Sequence, residues 1–151
     1  MLNIMLCGCQ GKMGRVIEEC TRTRTDCRIA AGIDLDTSDP RDFPVYASPA
    51  DCKEDVDVIV DFSHPNSLDG LLEYAPARKT PLVIATTGYS EAQIARIHEA
   101  AKEIPVFFTF NMSLGVNLLA ELARKATAVL GDQFDIEIVE KHHNRKVDAP
   151  S

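Results

Sequence analysis

The chain has 151 residues, of which 45% are hydrophobic and 26% charged, with a net charge of −7 and a pI near 5.0. This length is typical of about one domain with a sizeable core. The acidic balance argues against a nucleic-acid partner, since phosphate backbones are bound by basic faces. No signal peptide or apolar run of about 18 residues is visible, so we expect a cytoplasmic protein without a membrane partner.

The chain contains five cysteines, an odd number, and none of them has the paired spacing of zinc ligands. We therefore expect no metal, and we interpret most of the cysteines as small buried apolar residues in a reducing compartment.

Short apolar runs alternate with helical patterns along most of the chain. Each apolar run has the composition of a strand covered on both faces, and each helical pattern has one apolar face. In chain order we predict a strand at 2–7, a helix at 11–23, strands at 27–33 and 56–61, a helix at 65–77, a strand at 82–85, a helix from Ser90 through Glu103, a strand at 106–108 and a helix at 114–130.

Repeated strand–helix units of this length predict a Rossmann-type α/β fold with a doubly wound parallel sheet. The pattern changes after Gly131, where 134–142 alternates between apolar and polar residues. We interpret this segment as a strand with one polar face, as at the start of an antiparallel sheet, and we place a domain boundary near Leu130. The predicted domains are thus a dinucleotide-binding domain at 1–130 and the start of a second domain at 131–151.

A glycine-rich loop, Gly8-x-x-Gly11-x-x-Gly14, follows the first strand and opens the first helix. Glycines there allow a tight turn and a close approach of the backbone to a pyrophosphate, which the helix N-terminus attracts. The loop predicts dinucleotide binding; the alternative is a tight turn without a ligand. The expected cofactor contacts are Gly8, Cys9, Gln10, Gly11, Lys12 and Met13.

Asp34 ends the second predicted strand, where an acidic residue binds the adenosine ribose in dinucleotide-binding folds. Its carboxylate would repel a 2′-phosphate, and Leu35 and Asp36 follow it rather than an arginine. These residues favour NADH as the cofactor. Lys12 could approach a 2′-phosphate, so NADPH stays an alternative cofactor. The alternative is a solvated loop aspartate.

Three further loops follow the later strands, at the edge where ligands bind in doubly wound sheets. His64 in the first of them is interpreted as a loop or helix-start residue before a proline. The expected cofactor contacts in these loops are Phe62, Ala85, Thr86, Thr87, Thr109, Phe110, Asn111 and Met112.

An acid–base cluster lies near the last residue of the sequence, where His142, His143 and Lys146 fall within five positions. Histidine exchanges a proton near neutral pH and lysine supplies a positive charge, so the cluster fits proton delivery to an anionic substrate. Neighbouring residues of a strand point to opposite faces, which gives the two histidines different roles. The alternative is a pair of surface histidines in a basic loop.

The string Glu140-x-His142-His143-x-x-Lys146-x-Asp148-Ala149-Pro150-Ser151 resembles the signature of the 4-hydroxy-tetrahydrodipicolinate reductase (dihydrodipicolinate reductase) family. The glycine-rich loop, the turn at 86–88 and the segment 111–117 match that family in order and spacing. The resemblance implies NAD(P)H-dependent reduction of a small dicarboxylate in lysine and diaminopimelate biosynthesis. It also implies that His142 transfers the proton, that Lys146 is its partner cation, and that His143 and Ser151 bind substrate.

The sequence also departs from the family. The family signature continues beyond Ser151 into a Gly-Thr pair and a substrate domain through which members form homotetramers. The resemblance therefore implies that 134–142 is the first strand of an incomplete α+β substrate domain, and we expect this chain to be part of a longer protein and inactive alone. Ala85 and Leu35 stand where members carry glycine and, in NADPH users, arginine. Two alternatives stay open: another small-substrate NAD-dependent dehydrogenase, and a non-enzymatic dinucleotide-binding module.

Overall fold

The computed structural model describes residues 1–142 and residue 144. Its strands are β1 (Leu2–Cys7), β2 (Cys27–Ile33), β3 (Val45–Tyr46), β4 (Val58–Asp61), β5 (Leu82–Ile84) and β6 (Val106–Phe108). Its helices are α1 (Lys12–Arg22), α2 (Leu68–Arg78), α3 (Glu91–Ala100) and α4 (Leu114–Leu130), with short 3₁₀ turns at Pro49–Asp51, Pro65–Ser67 and Gly131–Gln133. None of these helices is long and apolar enough to cross a bilayer.

The strands form one parallel sheet in the order β3-β2-β1-β4-β5-β6. From β1 the chain first adds strands on one side and then, from β4 onward, on the other. This reversal defines a switch point between β1 and β4, where doubly wound sheets bind ligands.

The core lies on both faces of the sheet. Met5 and Cys7 of β1 pack in a cluster with Leu71 of α2 and Ile97 of α3. Leu6, which points to the opposite face, packs in a second cluster with Ile17 of α1. Because both faces are covered, the central strands are nearly continuous apolar runs, and the predicted Rossmann-type fold is confirmed.

Two elements differ from the sequence prediction. β3 has only two residues, which pair with Gly32 and Ile33, and so short a strand carries no readable periodicity. The strand predicted at 134–142 is wrong for this structure, in which 134–142 has no strand backbone. Alternation alone does not make a strand, because a strand requires hydrogen-bonding partners.

The chain divides into two compact units, Met1–Phe110 and Asn111–Ser151. The first unit contains the sheet, and the second begins just before α4. The domain boundary that the sequence predicts near Leu130 stays a prediction.

Candidate functional site

A cavity of about 590 Å³ opens at the carboxyl edge of the sheet in the first unit. It lies beside the switch point, because residues at the ends of β1, β2 and β4 form its walls. The residues that line it are Cys7, Gly8, Gln10, Gly11, Ile33, Asp34, Leu35, Ala47, Ser48, Pro49, Phe62, Ser63, His64, Asn66, Ser67 and Leu71.

The glycine-rich loop packs too closely for side chains at two of its positions. Gly8 has φ +76°, and a Cβ there would lie 2.4 Å from the carbonyl oxygen of Phe62. A Cβ on Gly14 would lie 2.3 Å from the carbonyl oxygen of Gly8. The loop therefore brings bare backbone to the edge of the cavity.

The first turn of α1 begins at the same loop. Its N-cap is Gly11, which has no side chain to accept a hydrogen bond from the turn, and the turn contains no acidic residue. The N–H groups of a first helical turn carry partial positive charge and lack helical acceptors. This loop and turn together fit a pyrophosphate, which binds to such N–H groups.

Asp34 lines the cavity and also holds the glycine-rich loop. Its Oδ2 accepts a hydrogen bond of 2.9 Å from the backbone N–H of Gln10. Its Oδ1 accepts a longer one, 3.4 Å, from the N–H of Asp36. Asp34 therefore links the end of β2 to the loop after β1, the two elements between which an adenosine ribose binds in this fold.

Arg41 is the first arginine after Asp34 in the sequence, and its guanidinium is committed to neighbours. It forms an ion pair of 2.5 Å with Glu18 of α1. It also donates from Nε to the side-chain oxygen of Gln10 over 3.0 Å. Because its side chain is only 8% exposed, Arg41 braces the loop rather than presenting a free cation.

Asp61 ends β4 and is fully buried. Its carboxylate accepts hydrogen bonds from the Thr86 hydroxyl over 2.7 Å and from the Tyr89 hydroxyl over 3.2 Å. It also accepts hydrogen bonds from the backbone N–H of Ser63 at 3.2 Å and from the Ser63 hydroxyl. Burial raises the pKa of Asp61 above 3.8, although these donors act in the opposite direction.

The buried thiols of the site stay protonated near neutral pH. Burial, and to a smaller extent the charge of Asp34, raise the pKa of Cys9 to about 11. Burial also raises the pKa of Cys7 well above its usual value. Since the thiolate is the reactive form of cysteine, these raised pKa values do not favour either thiol as a nucleophile. No cluster of potential metal ligands is found within the described residues.

Two family models match the chain in sequence order. The model described as "Dihydrodipicolinate reductase, N-terminus" matches residues 2–112, and "Dihydrodipicolinate reductase, C-terminus" matches 115–151. The chain belongs to the dihydrodipicolinate reductase family. The sequence resemblance to this family is thereby confirmed.

Several curated relatives named 4-hydroxy-tetrahydrodipicolinate reductase match the whole chain. The one from Clostridium tetani is 46% identical over 151 residues, and the one from Caldanaerobacter subterraneus is 48% identical over the same length. The chain spans 59% of the length of each of these two relatives.

The solved structures support the fold. A dipicolinate-bound dihydrodipicolinate reductase from Paenisporosarcina sp. TG-14 matches all of this chain and 62% of its own, with a TM-score of 0.79 and 24% identity. A myo-inositol dehydrogenase from Corynebacterium glutamicum matches 87% of this chain and 43% of its own, with a TM-score of 0.59 and 21% identity. At these identities the likeness concerns the fold alone.

The structure brings many of the predicted cofactor residues of this family member to one edge of the sheet. Five of them line the cavity: Gly8, Gln10, Gly11, Asp34 and Phe62. Lys12 and Met13 are exposed in the first turn of α1, whereas the buried side chain of Cys9 leaves only its backbone for a ligand. Ala85, Thr86 and Thr87 follow β5, and Thr109 and Phe110 follow β6.

The other predicted site residues lie in the second unit or outside the described residues. Asn111 and Met112 immediately precede α4, and the Asn111 side-chain oxygen accepts a hydrogen bond of 2.8 Å from the N–H of Ser113. His142 Nδ1 lies 3.7 Å from a carboxylate oxygen of Glu140. His143, Lys146 and Ser151 lie outside the described residues, so their proposed roles rest on the sequence.

Sequence reasoning assigned no site role to Asp61, Ser63 or Asn66. A charged residue at the end of an otherwise apolar buried strand was the available signal for Asp61. His64 is confirmed as a helix-start residue, because its Nδ1 accepts a hydrogen bond of 3.2 Å from the N–H of Asn66. It also lines the cavity, which its position before a proline did not indicate.

Proposed function

We propose that this protein is an oxidoreductase that uses NADH or NADPH to reduce 4-hydroxy-tetrahydrodipicolinate to tetrahydrodipicolinate, a step of lysine and diaminopimelate biosynthesis. The observation that carries the proposal is the ordered match of both dihydrodipicolinate reductase models, which together include 2–112 and 115–151. The relatives at 46% and 48% identity bear the name of that activity.

The residues at the switch point fit a dinucleotide. The positive φ of Gly8 and the close packing of Gly14 both require glycine, and they bring bare backbone to the cavity edge, where a pyrophosphate could approach it. Backbone of the loop and the first turn of α1 would hold the pyrophosphate, and Asp34 would accept hydrogen bonds from ribose hydroxyls. When bound, the nicotinamide supplies the hydride.

The substrate proposed is a small dicarboxylate. Support comes from the dipicolinate bound to the Paenisporosarcina enzyme and from the basic segment 141–146. We assign the proton transfer to His142 and its partner charge to Lys146, while His143 and Ser151 bind substrate carboxylates. A positioned acid of this kind contributes about 10²- to 10⁴-fold in rate. A homotetramer is proposed for the full-length protein, following the family resemblance.

We propose a preference for NADH. The adenosine end of the cavity presents the Asp34 carboxylate and the apolar Leu35, and Arg41 is paired with Glu18. A 2′-phosphate would therefore face a negative charge without a matching guanidinium from this loop.

Titration of the chain with NADH, followed by cofactor fluorescence, tests the binding part of the proposal. We expect saturable binding, because the glycine-rich loop, Asp34 and most of the other predicted cofactor contacts lie within one compact unit. Steady-state oxidation of NADH by the full-length protein, with freshly generated substrate, tests the reaction. A folded chain without saturable binding at about millimolar NADH would overturn the proposal.

A further inference from the structure

Asp61 ends β4, next to the switch point, and its side chain has no exposed surface. It does not line the cavity itself, but the next two residues along the chain, Phe62 and Ser63, do. A carboxylate loses favourable hydration when it is buried, so its presence at this position calls for compensating hydrogen bonds.

The carboxylate has donors on both oxygens. Oδ1 accepts from the Ser63 N–H at 3.2 Å and from the Ser63 hydroxyl. Oδ2 accepts from the Thr86 hydroxyl at 2.7 Å and from the Tyr89 hydroxyl at 3.2 Å. All four donors are neutral. An asparagine of the same size would replace one acceptor oxygen with an NH₂ group, which would face donors instead of accepting from them.

Thr86 connects the two loops through this carboxylate. Its hydroxyl donates to Asp61 and accepts a hydrogen bond of 2.9 Å from the backbone N–H of Ser63. The single hydroxyl hydrogen of Thr86 is thus used inside the protein, and its side chain is only 4% exposed. Thr87, the next residue, is exposed at the carboxyl edge of the sheet.

We infer that Asp61 is a positioning residue for the cofactor: its carboxylate holds the loop after β4 and the loop after β5 in the one relative arrangement that accepts the nicotinamide half of the dinucleotide. This inference rests on the proposed function, since it assumes that a dinucleotide binds at the switch point. In the sheet, β2 lies on one side of β1 and β4 and β5 lie on the other, so we place the adenosine half near Asp34 and the nicotinamide half near the loops after β4 and β5. The glycine-rich loop and Asp34 are held by a separate set of hydrogen bonds.

The test compares two ligands on Asp61→Asn. NADH spans both halves of the site, whereas ADP contains only the adenosine and pyrophosphate part. We expect Asp61→Asn to weaken NADH binding about tenfold and to change ADP binding by less than about twofold, because the variant removes hydrogen bonds that join the loops after β4 and β5, whereas the glycine-rich loop and Asp34 keep theirs. The nicotinamide fluorescence of bound NADH should shift toward that of free NADH.

Thr86→Val is the second variant, which keeps the shape of the side chain and removes only the hydroxyl that joins Asp61 to Ser63. Thr86→Val should weaken NADH binding about as much as Asp61→Asn does. Tyr89→Phe, which removes the longer hydrogen bond, should weaken NADH binding less. Asp57→Asn is the matched control, because Asp57 immediately precedes the same strand and its exposed carboxylate accepts a hydrogen bond of 2.7 Å from the N–H of Asn3.

The outcomes separate the two proposals. Failure of the unchanged chain to bind either NADH or ADP contradicts the proposed function. Normal ADP binding with unchanged NADH affinity in Asp61→Asn and Thr86→Val overturns the positioning role. Equal losses of NADH and ADP, accompanied by a lower melting temperature, would show that Asp61 serves stability only, which also overturns it. If Asp61→Asn does not fold, the NADH and ADP affinities of Thr86→Val alone test the positioning role.

Discussion

Asp34 and Asp61 lie at the carboxyl edge of the same sheet, yet their surroundings give them different tasks. Asp34 is half-buried and lines the cavity, and its Oδ2 accepts a hydrogen bond from the glycine-rich loop. Asp61 is fully buried and accepts four hydrogen bonds. The difference in exposure means that the Asp34 carboxylate can contact a ligand, whereas the Asp61 carboxylate can only position other residues of the protein.

Asp34→Ala should weaken NADH binding more than NADPH binding. The variant removes an acceptor for ribose hydroxyls, which lowers the affinity for NADH. It also removes the charge that repels a 2′-phosphate, so the affinity for NADPH falls less. A loss of about tenfold for NADH, measured by fluorescence titration of both cofactors, is expected. Asp36→Ala, which changes the exposed carboxylate two residues later, is the control. Equal affinities of Asp34→Ala and the unchanged chain for NADH would show that Asp34 is only a loop residue.

Asp61 should give the protein a pH-dependent stability. Since its folded-state pKa is raised above 3.8, the folded protein binds this proton more tightly than the unfolded chain does. The resulting stabilisation is complete below pH 3.8 and is lost as the pH rises through the raised pKa. Asp61→Asn lacks this dependence. The free energy of unfolding of the unchanged chain, minus that of the variant, should be larger at about pH 4 than at about pH 7 in urea titrations. A difference independent of pH would contradict the assignment.

At the scale of elements, the glycine-rich loop and α1 form one tightly packed unit. Gly14, inside the first turns of α1, touches the backbone of Gly8 and Cys9, so the helix approaches the loop more closely than any side chain would allow. Gly11, the N-cap of α1, lines the cavity next to this close contact.

Gly14→Ala should therefore impair folding and binding together. Its Cβ would lie 2.3 Å from the Gly8 carbonyl oxygen and 2.7 Å from Cys9 backbone atoms, none of which belongs to a flexible side chain. We expect a lower melting temperature and at least about a tenfold loss of NADH affinity.

Gly70→Ala is a matched control for that variant. Gly70 also lies inside a helix, α2, but its Cβ would meet only a Pro49 side-chain atom at 3.8 Å. The alanine should raise helix stability by about 0.5–1 kcal/mol and leave NADH affinity unchanged. If Gly14→Ala behaved like Gly70→Ala in calorimetry and titration, the close packing would not matter.

At the scale of the whole molecule, binding and proton transfer are assigned to different parts of the chain. The glycine-rich loop, Asp34 and most of the other predicted cofactor contacts lie in Met1–Phe110, whereas His142 lies in the second unit. The chain spans 59% of the length of its Clostridium tetani relative. The substrate site that we propose therefore belongs to the full-length protein.

In the full-length protein, His142→Ala and Lys146→Ala should lower turnover about 10²-fold or more while NADH affinity changes by less than about twofold. Their proposed roles concern the proton and the substrate, and both variants leave the glycine-rich loop and Asp34 unchanged. Steady-state rates and NADH titration on the same preparations measure both quantities. Full turnover by His142→Ala would remove that residue from the acid role, and a parallel loss of NADH affinity would point to a structural effect.

By itself, the sequence determined the alternation of buried strands and amphipathic helices, the glycine-rich loop and the acidic residue that ends β2. These features are local, because strand and helix periodicity and the φ requirement of Gly8 are properties of neighbouring residues. The family signature at 140–151 is local in the same sense.

Only the tertiary structure decided which of these residues meet. Arg41 is paired with Glu18, 23 positions away, and Asp61 with Thr86, 25 positions away. The two-residue strand β3 exists because Gly32 and Ile33 offer it a partner, whereas 134–142 alternates correctly but forms no strand in the described structure. Hydrogen bonds and ion pairs between distant residues depend on strand order and on which neighbour supplies the partner, and no local pattern contains that information.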